Sequence, residues 1–275
     1  MANGCARNGH NFPKVVALDL SARPRGRSPS KIVTCETVAV MQRVRALVIV
    51  AALAGLLLSG CQAQPSNQAA SVGDVTITDA QVDATAAAYE NAEASQPDRP
   101  PFGNGERAFL RQFVVQASVF NELARRYAAE KGLPAPAVDY AATAQRLGVP
   151  ADNPFTKIVA DSDAYRQMLL SRAAAGQPTD EDMRNAYDRY VKAATNAGVE
   201  PVPFDDIRNE LVQTPEFAQG IGLRNELAEA AQRYGVEVSP RYQPLESPIW
   251  APSQSQLVLV GLPLGESGDA VRDLG

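Results

Sequence analysis

The sequence predicts a mostly α domain closed by a small β-sheet, on three observations. Apolar residues recur at spacings of three and four through a stretch of about 26 residues centred on Ala117. Glycines, prolines and capping residues divide the chain from Thr78 to Gly235 into a series of helices. Short alternating β runs, Val75-Thr76-Ile77 and Val236-Glu237-Val238, bracket those helices.

The elements follow in order. Gln62 to Ala70 is polar and without period, and within residues 61–70 it reads as a flexible tether. Gly73-Asp74 is a hairpin-type turn pair, followed by the β segment Val75–Thr78. Thr78 and Gln81 make a Thr-x-x-Gln capping box, which starts a helix from Asp79 to about Glu93. Gln96 to Gly105 carries three prolines and two glycines and is loop. From about Glu106 to Lys131, Phe109, Leu110, Phe113, Val114, Ala117, Phe120, Leu123, Ala124 and Tyr127 mark one apolar face. Gly132 and Pro134 stop that helix. A shorter helix covers Ala137 to Leu147. The next starts at Asn153-Pro154 and runs to about Ala175-Gly176. Pro178-Thr179-Asp180-Glu181-Asp182 is an N-terminal cap with acid in the first turn, which suits the helix dipole, and its helix ends before Gly198. Two more helices span Phe204 to about Val212 and Pro215 to Tyr234, the second weakened by Gly220 and Gly222. Leu257 to Leu262 is a β-like run that could add to the small sheet, and Gly265 to Gly275 reads as disordered.

The start of the chain is a targeting segment. Ala46 to Leu58 is apolar over 13 residues behind Arg43 and Arg45. A membrane span needs roughly 20 residues, so the stretch fits a signal peptide better than a transmembrane helix. It ends in Leu58-Ser59-Gly60-Cys61, which resembles a bacterial lipobox: cleavage before Cys61 and a diacylglyceryl group on its sulfur. Met41 stands where such a signal begins, so residues 41–60 are the expected signal peptide. Residues 1–40 are then either a start-site artefact or a long basic leader.

Composition narrows the chemistry. The chain has 26 Lys/Arg and 31 Asp/Glu; residues 1–60 hold 8 and 2 of these, leaving 18 against 29 and a formal charge of −11 after Cys61. Such a surface repels phosphate backbones, so nucleic acid is not an expected partner. His10, Cys5 and Cys35 all precede the cleavage point. The processed chain would therefore lack histidine and keep only the lipidated Cys61, which leaves no His-based triad, cysteine nucleophile, zinc cluster or disulfide. No enzymatic activity, cofactor or metal is expected.

Two stretches carry a family resemblance. Val72-Gly73-Asp74-Val75-Thr76-Ile77-Thr78 with the helix behind it is similar to the opening of SurA/PrsA-type chaperones. Phe204-Asp205-Asp206-Ile207-Arg208-Asn209-Glu210-Leu211, the helix to Gly235 and Val236-Glu237-Val238-Ser239-Pro240-Arg241-Tyr242 resemble the C-terminal helix and closing strand of that group. The last pattern resembles actinobacterial lipoproteins with a SurA N-terminal-like domain. Pro178–Asp182 with Tyr187 is similar to the family helix that precedes a parvulin prolyl isomerase domain. Only 13 residues separate Tyr190 from Phe204, too few for that domain. The resemblance therefore implies a multi-helix chaperone domain over residues 71–242 without isomerase activity, its opening strand paired with Val236–Val238, and residues 243–275 as a C-terminal extension.

The function this implies is a holdase, lipid-anchored on the extracytoplasmic face of the bacterial cytoplasmic membrane, with unfolded or nascent secreted proteins as partners. The alternative is an adaptor lipoprotein that docks one envelope partner. Adaptable aromatic and Met side chains suit binding without sequence readout. The candidate cradle is Tyr89, Phe109, Phe113, Phe120, Tyr165 and Met168. An aromatic stripe at helical spacing is more often core. Phe113, Phe120 and Leu123 are accordingly expected mostly inside, and Phe109 and Tyr165 are the better candidates for exposure.

Overall fold

The computed structural model describes residues 67–96, 101–252 and 257–265. The signal segment, Cys61 and the tail beyond Gly265 lie outside the described residues. Strand β1 (Gln68–Val72) turns through Gly73-Asp74 into β2 (Val75–Thr78). Gly73 sits at φ +59°, a conformation costly for side chains with a Cβ, which is why this tight turn has glycine first. After the helices, β3 (Val236–Val238) returns to β1, giving an antiparallel sheet of order β2-β1-β3.

This corrects two expectations. Gln68, Ala69 and Ala70 belong to a strand rather than the tether, and they are buried. The partner of β3 is β1, upstream of the turn, not the Val75–Thr78 segment. Gln-Ala-Ala-Ser has neither β-branched residues nor an apolar alternation, so its own sequence gives no strand signal. Position in the middle of the sheet overrides propensity here. Its small side chains let the strand lie flush beneath the longest helix.

Helix α1 (Asp79–Ala94) begins at the predicted capping box: the Gln81 amide donates to Thr78 Oγ1 at 3.2 Å and the Thr78 amide to Gln81 Oε1 at 2.8 Å. Helix α2 (Asn104–Glu130) is the long predicted arm, about 40 Å at 1.5 Å per residue. Its stripe of Leu110, Val114, Ala117, Phe120, Leu123, Ala124 and Tyr127 is buried. Helix α3 (Tyr140–Leu147) starts three residues later than expected, because the Asp139 carboxylate caps Ala142 N at 2.9 Å. Helix α4 (Pro154–Leu170) lies beside α2, Asn121 donating to the Ile158 carbonyl at 3.0 Å and accepting from Ser162 at 2.7 Å. Helices α5 (Asp180–Asn196), α6 (Phe204–Val212) and α7 (Pro215–Tyr234) follow as predicted. The described residues are thus mostly helical, with small antiparallel sheets.

Helix α4 ends five residues short of the expected stop, although Arg172-Ala-Ala-Ala could extend it. The chain instead leaves the helix and crosses α7 at van der Waals distance. Gly176 N donates to the Ala218 carbonyl at 2.8 Å. A Cβ on Gly222 would stand 2.1 Å from the Ala174 oxygen, and one on Gly176 2.7 Å from Gly222 N. The glycine that reads as a weakness of α7 is what permits this crossing.

The C-terminal run also departs from expectation. Val260–Pro263 (β5) does not join the first sheet; it pairs with β4 (Glu246–Trp250) in a second, two-stranded sheet. Pro248 hides β4 in the sequence, but the proline faces away from β5, where no ladder amide is needed. Both strands pack on α7, with the Phe217 and Trp250 rings 5.7 Å apart. Leu245, Ile249, Leu259, Val260, Leu262 and Leu264 share one core with α2 and α7. Residues 243–252 and 257–265 therefore complete the domain that the sequence reading closes at Tyr242.

Gly222→Ala should lower stability by about 1–3 kcal/mol, because the clash outweighs a helix-propensity gain of at most about 1 kcal/mol. Gly105→Ala, with nothing within 4 Å of the added Cβ, should not lower it. Urea unfolding of the two variants reads the contrast; equal midpoints would refute the close crossing.

Candidate functional site

The six predicted cradle residues do not form one surface. Tyr89, Phe113 and the unpredicted Phe102 and Phe155 form an aromatic cluster between α1, α2 and α4. Tyr89 lies 4.3 Å from Phe155 and 6.0 Å from Phe102, and Phe113 lies 5.5 Å from Phe155. Phe155 is buried, while Tyr89 and Phe113 are half-buried. Phe109 sits one turn before Phe113 on the same face of α2 and is 70 % exposed. Phe120 is core, as the stripe predicts, with the Arg166 guanidinium 5.5 Å from its ring centre. Tyr165 and Met168 are half-buried on α4, at least ten residues, or about 15 Å, along the helix from Phe155. Burial pushes the Tyr165 phenol above its ordinary value.

A second aromatic group joins α5 to α6. Tyr187 and Phe204 pack edge to face at 5.2 Å, and Tyr187 lies 6.1 Å from Tyr190. The Tyr187 hydroxyl donates to the Val202 carbonyl at 3.0 Å, and Val202 N donates to the Tyr190 hydroxyl at 3.1 Å. These bonds fix the connection between the two helices, so α5 and α6 form one stiff hairpin. Val199, Val202 and Val212 are exposed on it.

A groove of about 270 Å³ lies between α5, α7 and the second sheet. Ile221 and Ala228 of α7 and Leu259 and Val260 near β5 supply its apolar lining. Two ion pairs cross it: Arg224 of α7 with Asp182 of α5, and Arg189 of α5 with Glu246 of β4. Asp182 is also the third residue of the α5 capping box, accepting from Thr179 N and Thr179 Oγ1, each at 2.8 Å. Burial pushes the Asp182 carboxyl up, but the Arg224 guanidinium and the two Thr179 donors outweigh it and hold it below the ordinary 3.8. Sequence reading finds Asp182 only as a cap. It has no signal for Arg189, Arg224 or Glu246, whose partners are distant in sequence.

Among the described residues no cluster of three or more His, Cys, Asp or Glu could hold a metal ion, and no helix is long and apolar enough to cross a membrane. No protein-family model, curated protein or solved structure matches the chain.

Asp182→Asn should cost about 1–3 kcal/mol at neutral pH, since it leaves Arg224 without its charge partner. The depressed carboxyl stabilises the fold above pH 3.8, and that contribution is lost as pH falls through the lower folded-state value. The gap between wild type and variant should therefore close in acid below about pH 4. A gap that stays constant to pH 2 would show that the charge contributes nothing.

Proposed function

We propose that this chain is a lipid-anchored extracytoplasmic holdase, related to the SurA/PrsA-type chaperone module and without isomerase activity. Lipidation at Cys61 would tether the domain to the outer face of the bacterial cytoplasmic membrane, and unfolded or nascent secreted proteins would be its clients. The supporting observation is Phe109: a large aromatic side chain 70 % exposed beside a half-buried aromatic cluster. An unfolded segment laid there covers apolar surface worth roughly 25 cal/mol per Å² without needing a defined sequence. The stiff α5–α6 hairpin, with Val199, Val202 and Val212 exposed, offers further apolar area of the same kind. The acidic balance of the processed chain keeps such a surface soluble and away from anionic headgroups.

The test is light scattering from two unrelated unfolding proteins, with residues 62–275 at stoichiometric amounts. Suppression of both is expected, and Phe109→Ser should weaken it severalfold while leaving the melting temperature nearly unchanged, because the side chain is exposed. Suppression of neither would refute the holdase, and crosslinking to a single folded partner would then establish the adaptor.

A further inference from the structure

The groove between α5, α7 and β5 has three properties that together specify an occupant. Its charges are balanced. Arg189, Arg224, Asp182 and Glu246 form two neutral pairs, so the groove attracts neither a phosphate nor a metal cation. Its polar groups are donors beside acceptors, and Asn185 adds one of each. A peptide unit, with one N–H and one C=O, has that same pairing.

The third property is the free edge of β5. Leu264 N donates to the Leu245 carbonyl at 2.9 Å, which sets the phase of the β4–β5 ladder. Hydrogen-bonded and non-bonded pairs alternate along an antiparallel ladder. Leu262 therefore faces Ser247 in a bonded pair, while Gly261 opposite Pro248 directs its N–H and C=O away from β4. Pro248 agrees with this phase: its carbonyl faces outward on the other strand and accepts from Arg166 Nε at 2.8 Å. Among the described residues no strand pairs with β5 on its outer side. Gly261 is one of the residues lining the groove, and Pro263, without an N–H, limits pairing to a short register. A Cβ at 261 would fall 1.8 Å from Glu246 Oε1, so a side chain there would require Glu246 to leave the path it takes to Arg189.

We propose that this groove binds an extended polypeptide segment, which pairs its backbone with Gly261 at the edge of β5 and seats one apolar side chain on Ile221, Ala228 and Val260. The segment is a short stretch of an unfolded client, so the inference rests on the holdase reading and gives it a second contact, made through backbone rather than aromatic surface. Strand addition supplies affinity without sequence readout, because every peptide carries the same backbone groups.

The experiment uses the full chain in lipid nanodiscs, with empty nanodiscs as the blank. One probe is a dansyl-labelled, end-blocked peptide of alternating leucine and serine, and the other is permanently unfolded, reduced and carboxymethylated lactalbumin. Asn185→Trp fills the groove from an exposed position on α5, and Asn209→Trp adds the same ring to exposed α6 outside it. The wild type should bind both probes, Asn185→Trp should weaken peptide binding about tenfold, and Asn209→Trp should not. An analogue N-methylated at alternate peptide amides should bind as weakly to the wild type as the parent peptide binds to Asn185→Trp. Peptide binding unchanged by Asn185→Trp overturns the groove, while protection of unfolding proteins by that variant leaves the holdase standing. Peptide bound in the groove without any protection of unfolding proteins supports the site and overturns the holdase. Binding of neither probe overturns both.

Discussion

The fold depends on β1 being the middle strand of its sheet. Val72 pairs with Val75 on one side and Val236 on the other, so a segment near the start of the described chain is held by one more than 160 residues later. Everything between is then a closed excursion: α1 leaves from β2, and α7 returns to β3. Tyr242 and Asp79 reinforce the closure, the tyrosine hydroxyl donating to the carboxylate at 2.8 Å. Under the lipid-anchor reading the tether is also shorter than the sequence implies, because the chain is already structured at Gln68.

Helix α7 is the second organising element. One side meets α2, where Tyr127 donates to Glu226 and Arg233 to Glu130. Another carries the β4–β5 sheet, and the glycine crossing lets residues 174–176 pass against it. The α5–α6 hairpin is fastened to this body by the apolar contacts of Met183, Ala186 and Leu211 and by the Asp182–Arg224 and Arg189–Glu246 pairs. Half-exposed pairs such as Arg189–Glu246 are each worth at most about 1 kcal/mol, so they orient the hairpin more than they hold it. The Asp182–Arg224 and Arg189–Glu246 pairs, with the apolar Ile221 and Val260, line the groove beneath the hairpin.

Much of this architecture is legible in the sequence because its signals are local. Thr78 with Gln81, Thr179 with Asp182, Asn153-Pro154 and Gly235 mark helix ends through contacts within a few residues, and each lies at an end in the structure. The stripe on α2 is equally direct for Phe120 and Leu123, which lie inside, whereas Phe109, counted in the same apolar face, is exposed. What escapes depends on partners distant in the chain. Ala69-Ala70 becomes a strand only because β2 and β3 flank it. Leu170 ends α4 where the chain turns away to cross α7. Pro248 is tolerated only because its face of β4 needs no ladder amide. The groove is illegible for the same reason: Arg189 and Glu246 lie 57 residues apart and reveal nothing to each other until the fold is closed.

Native-state hydrogen exchange at Ala70 and Val72 tests the closure most directly. If β1 is the central strand, these amides should exchange only with global unfolding, as slowly as Leu123 in the core of α2. Exchange at the rate of an open chain, with Leu123 still protected, would return residues 68–72 to the tether and contradict the fold described above.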